Sequence, residues 1–149
     1  MPPRSPRKLP QSPALTAVHP AAGAHDTHKM NFTKFLKFWF PVIFYSAIIF
    51  CLSGIPNLRA PLAENNFDKV IHLGEYLILG ILGARALTNT REHYSPRMVF
   101  WAVFLFCLFY GITDEFHQSF VAGRVSDWKD ALADTLGGSL GGWLYLMKG

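Results

Sequence analysis

A chain of 149 residues has room for one domain, and with 50% hydrophobic, 15% aromatic and only 16% charged residues it is poor in charge for a water-soluble protein. Its formal net charge of +4 comes from lysines and arginines that flank apolar runs instead of forming one stripe, which excludes a nucleic-acid partner and suits a lipid bilayer. Cys51 and Cys107 both lie inside apolar runs, so they form no disulfide framework and no metal-ligand motif.

Residues 1–29 are rich in Pro, Ala and His and lack any hydrophobic period. They read as a disordered tail, or as an over-called start, because Met30 opens a second natural beginning. His19, His25 and His28 belong to that solvated stretch, and the domain proper is expected over 30–149.

The first apolar run, 38–55, carries no charge and is long enough to span, with Pro41 expected in its first turn and Gly54, Pro56 and Asn57 ending it. A cleaved signal peptide fits less well, since no small-x-small site is evident and further apolar runs follow. The second run, 70–87, includes His72, Glu75 and Arg85, with Asn66 or Asp68 as N-cap and Gly80 and Gly83 for close packing. The third, 99–112, continues into the polar string Asp114-Glu115-Phe116-His117-Gln118. The fourth starts near Asp127 or Asp130 and runs to 147, with Gly137, Gly138, Gly141 and Gly142 forming two overlapping small-xxx-small pairs. Those glycines would weaken a helix in water but let helix backbones approach in lipid. The expected fold is all-α: an integral membrane bundle of four transmembrane helices behind a disordered N-terminal tail.

Lys29, Lys34 and Lys37 precede the first span, Arg91 and Arg97 separate the second and third, and Lys148 follows the fourth. This pattern places both termini in the cytoplasm of a multi-pass protein of the inner (cytoplasmic) membrane. The polar helix ends then gather on the non-cytoplasmic side. Asp68, His72, Glu75 and Tyr76 share one broad helix face; Asp114, His117 and Gln118 repeat the arrangement, with Glu115 beside them; Asp127, Asp130 and Asp134 add an acidic stripe. Arg124, after Gly123, supplies a forked cation. Bland roles are available: Asp68, Asp127 and Asp130 as caps, Arg124 and His117 as interfacial anchors. Glu75 and Asp134 resist them most, because an intramembrane acid costs several kcal/mol unless paired or hydrated. No phosphate loop, Cys-x-x-Cys pair or nucleophile elbow is present.

Asp68-Lys69-Val70-Ile71-His72 with Tyr76, then Asp114-Glu115-Phe116-His117-Gln118 with Gly123-Arg124, then Asp130, Asp134 and Gly137, together resemble the VanZ-like family over roughly residues 44–146. These are small integral membrane proteins associated with teicoplanin resistance. The chain departs from the family pattern at Ala122, where a Pro is usual, and at Asp134, where an Asn is usual. The resemblance implies a bacterial cell-envelope role and no particular reaction or cofactor, so glycopeptide resistance does not follow.

On this reading His72, Glu75, Asp114, Glu115 and Gln118 are the candidate catalytic groups, and Asp68, Lys69, Tyr76, Arg124, Asp130 and Asp134 the candidate substrate contacts. No residue set is assigned to a metal as a motif, and nothing in the sequence decides between an enzyme and a binding protein. The leading expectation is a site that acts on or binds an anionic, lipid-linked envelope component, with acid–base groups or a divalent cation at work. The rivals are a proton or cation path through the membrane, and a non-catalytic module that docks an envelope protein or a second copy through Gly137 and Gly141.

Overall fold

The computed structural model describes Met1 and residues 32–56, 67–91, 93–124 and 126–148. The tail over 2–29, the start at Met30, and Asn57 and Asn66 lie outside the described residues. Among the described residues the chain is all-helical: α1 Phe32–Ser53, α2 Phe67–Thr90, α3 Pro96–Gln118 and α4 Trp128–Met147. At 1.5 Å per residue, α2 and α3, with 24 and 23 residues, are each about 35 Å long, enough to cross a hydrocarbon core of about 30 Å.

Local chemistry sets the helix ends. Ser95 caps α3, its side chain accepting from the Met98 N–H at 3.3 Å, and Pro96 takes a first-turn position where an N–H is not needed. Asp127 caps α4 by accepting from the Lys129 N–H at 3.0 Å. Asp68 falls in the first turn of α2, on the favourable side of the helix dipole. One expectation is corrected. Because α1 begins at Phe32, Pro41 lies in the helix interior and not in its first turn. The helix continues through it because a backbone within lipid has no water to bond to instead.

α1, α2 and α3 are long and apolar enough to cross a membrane; α4, with its glycines and aspartates, does not reach the same hydropathy. Instead α4 is held by its neighbours: it packs most extensively on α2, then on α3, and makes no close approach to α1. α2 and α4 run in the same direction with their backbones nearly touching. A Cβ at Gly137 would overlap the Leu73 carbonyl, one at Gly141 the Leu77 carbonyl, and one at Gly80 the Gly138 backbone. Lipid offers helices no hydrophobic drive to associate, so such dispersion contact is what binds them.

The polarity is that of a protein turned inside out. Phe40, Phe44, Trp101, Phe109, Leu136 and Trp143 are exposed, while His72, Asp114, Glu115, Gln118, Asp130 and Asp134 are buried. Water would reverse that arrangement and a bilayer demands it. Leu79, Ala84, Val99, Val103 and Cys107 form the apolar core, and beyond it the Trp39 indole N–H donates to Thr90 Oγ1 at 3.1 Å.

Replacing Gly141 with Leu should therefore force α2 and α4 apart and cost about 1–3 kcal/mol, as overpacking does. Gly74→Ala meets nothing within 4 Å and should stay within about 0.5 kcal/mol of the parent. Melting of the two purified variants in detergent checks the contrast.

Candidate functional site

The alternation of the helices brings the C-termini of α1 and α3 together with the N-termini of α2 and α4. At that end the side chains of α2 and α4 pair in register. Lys69 Nζ donates to Asp130 Oδ1 at 2.9 Å and lies 3.3 Å from Asp127 Oδ2 and 3.5 Å from Asp68 Oδ2. One turn deeper, His72 Nδ1 sits 2.9 Å from Asp134 Oδ1, with His72 2% and Asp134 0% exposed. When Asp134 is ionised it accepts from Nδ1–H, which selects the tautomer with its lone pair on Nε2.

α3 closes the group. Glu115 Oε2 accepts the Asp127 backbone N–H at 2.8 Å, tying the loop before α4 over the cluster. Gln118 Nε2 donates to Asp114 Oδ2 at 2.9 Å within α3. Tyr76 is fully buried beneath His72, feels the charges of Asp134 and Asp114, and its ring centroid lies 5.9 Å from that of Tyr110. At the rim, the Lys129 backbone N–H and the Lys69 ammonium hold the Asp127 carboxyl below the usual carboxylate range.

Of the sequence-derived candidates, Asp68, Lys69, His72, Tyr76, Asp114, Glu115, Gln118, Asp130 and Asp134 thus gather at one end of α2, α3 and α4. Two others sit differently. Glu75 is half-buried on α2, where both Tyr45 of α1 and Asp134 of α4 feel its charge. Arg124 donates from Nε and Nη2 to the Ser53 carbonyl at 3.3 and 3.2 Å, capping the C-terminus of α1. Beside it Ser53 Oγ lies 3.4 Å from His117 Nδ1, and the His117 ring stacks on Phe50 at 4.2 Å. His117 therefore faces α1, away from His72. Ser53 and Asp127 are the residues that sequence reasoning undervalued. Ser53 carried no signal, and Asp127 looked like a cap, which it is, but its side chain also meets Lys69 and its N–H meets Glu115.

The cluster is unbalanced. Asp68, Asp114, Glu115, Asp127, Asp130 and Asp134 outnumber Lys69 and His72, and one oxygen each of Asp68, Asp114, Glu115 and Asp134 is buried with no hydrogen-bond partner. Such an oxygen costs free energy unless a cation or donor reaches it. His72, Glu115 and Asp130 each offer a ligand atom, all within 4.8 Å of one another and all buried, so these three could hold a metal ion.

Comparison with protein-family models gives a match to VanZ/LLP1 over residues 14–149. No curated protein matches the chain. No solved structure matches it either.

Unpartnered carboxylate oxygens should make the site a burden on stability. Glu115→Gln retains an acceptor for the Asp127 N–H and puts a donor among the neighbouring acids, so its melting midpoint should rise, by on the order of 1 kcal/mol in stability. Lys69→Met removes the ammonium shared by Asp68, Asp127 and Asp130 and should lower the midpoint, by about 1–3 kcal/mol. Thermal melts of both variants, run without added ligand, test the opposite signs.

Proposed function

The chain belongs to the VanZ/LLP1 family and is a multi-pass membrane protein, and from that premise we propose that it binds, and presents to acid–base groups, an anionic amphiphile of the cell envelope. The ligand class is a phospholipid or lipid-linked sugar phosphate, met on the non-cytoplasmic side of the inner membrane. The observation that carries the reading is the buried group of His72, Glu115, Asp130 and Asp134, with the partly buried Lys69 on Asp130, drawn from three helices at one end of the bundle.

A second observation supports the amphiphile. An apolar cavity of about 390 Å3 opens between α1, α2 and α3, lined by Trp39, Val42, Gly83, Val103, Phe106 and Tyr110 among others. Tyr110 stands at the end of the cavity nearest the cluster, donates to the Ser46 carbonyl at 2.6 Å, and neighbours Tyr76, which lies under His72. A hydrocarbon chain seated in the cavity would therefore bring its head group toward the cluster. An anion enters an acid-rich site only through a cation, and Lys69 supplies one. His72, oriented by Asp134 as in carboxylate–imidazole pairs, is the acid–base group there.

A path for protons across the bundle fits less well. Beyond Glu75, Asp114 and Asp134, the inward portions of α2, α3 and α4 contain no acid. The stripe of Gly137 and Gly141, which would otherwise suit a second copy or an envelope protein, lies against α2 of the same chain.

Two experiments test the proposal. Purified protein should bind a dialkyl phosphate lipid at least about tenfold more tightly than a neutral lipid with the same chains, and Ala102→Phe, which fills the cavity, or Lys69→Met should erase the difference; equal binding of the neutral lipid sinks the reading. Ala122→Cys, in a Cys51→Ser background, should react in intact cells with a maleimide that cannot cross membranes. Reaction only after the cytoplasmic side is opened would invert the topology.

A further inference from the structure

We propose that His72, Glu115 and Asp130 form a binding site for one divalent transition-metal ion, with Asp134 orienting His72 from behind. The proposal deepens the reading above, since a bound cation would supply the positive charge through which an acid-rich site receives a phosphate. Its support is nevertheless separate from any lipid.

The donor set is built from three helices, and its ligand atoms lie within 4.8 Å of one another. All three residues are buried, at 2%, 5% and 5% exposure. An independent sign comes from Glu115 Oε1, which is buried without a partner while Oε2 is engaged by the Asp127 N–H. A carboxylate locked through one oxygen, with the other buried and unpartnered beside His72 and Asp130, is arranged as a ligand is. The His72–Asp134 contact at 2.9 Å is the outer-shell bond that metal-bound histidines commonly make: a carboxylate on one ring nitrogen raises the basicity of the other.

An imidazole nitrogen with two carboxylate oxygens selects the class of ion. Magnesium and calcium favour all-oxygen cages, whereas zinc and manganese accept mixed nitrogen and oxygen sets. Metal–donor bonds of about 2.0–2.2 Å would draw the three side chains inward from their present spacing. The Lys69 ammonium, on Asp130 Oδ1, would be the competing cation and would swing toward Asp68 and Asp127. Three protein donors leave a coordination position for a phosphate oxygen.

The test uses the full chain carrying His19→Ala, His25→Ala and His28→Ala, purified through a tag without histidine and stripped with chelator. Zinc chloride and, separately, manganese chloride are titrated calorimetrically, with magnesium chloride as the contrast. The expected result is one equivalent of zinc or manganese bound and a raised melting midpoint. Glu115→Gln and Asp130→Asn should each weaken binding at least tenfold, Asp134→Asn about 10–100-fold, and His117→Ala should leave it unchanged. Glu115→Gln, expected to fold at least as well as the parent, keeps the test decisive if the others fail to fold.

Absence of stoichiometric zinc or manganese binding, or binding untouched by Glu115→Gln, overturns the metal site. If the protein then still binds the phosphate lipid, the reading of the preceding subsection stands alone. If metal binds and phosphate lipid does not, the metal site stands and that reading falls.

Discussion

The backbone contact between α2 and α4 is the constraint on which the rest depends. Gly137 lies against Leu73 and Gly141 against Leu77, so the two parallel helices are locked at one offset and one rotation. Toward the helix starts the same packing sets Asp134 against His72 and Asp130 against Lys69. A larger residue in the glycine stripe would widen the gap and separate the polar pairs together. In lipid, where apolar surface has no reason to leave its surroundings, small residues are how a bundle obtains this precision.

The cost of the arrangement is electrostatic. Carboxylates from α2, α3 and α4 share a volume from which solvent is largely excluded, and several of their oxygens lack a partner. A fold selected only for stability would replace them with apolar side chains of similar size, as buried ion pairs generally allow. Their presence beneath a capped loop, with Asp127 tying α4 to Glu115, is what the proposed site rests on. The Arg124 and Ser53 contact serves a different end: it fixes the C-terminus of α1, which packs on α2 and touches α3 only lightly, with the apolar cavity between the three helices.

Much of this was legible in local sequence. Hydropathy and length marked the helices, because a span must be apolar over a fixed distance wherever it packs. The glycine pairs signalled close approach, and the spacing of Asp68, His72 and Tyr76, and of Asp130 and Asp134, signalled polar faces, because helical period is a property of the chain alone. Pro41 misled as a marker of the start of α1, since a proline is tolerated inside a membrane helix as well as at its beginning.

What the tertiary structure alone decided is which of those faces meet. Nothing local distinguishes Glu115, whose carboxylate lies within 4.8 Å of ligand atoms on His72 and Asp130, from Glu75, which is outside that group. Nor could spacing say that Arg124 would cap Ser53, or that His117 would stack on Phe50. These outcomes depend on the rotation and offset of whole helices, set by backbone contacts between residues distant in the chain, such as Gly141 and Leu77. Residue type and period therefore fixed the candidates, and the packing of α2, α3 and α4 chose among them.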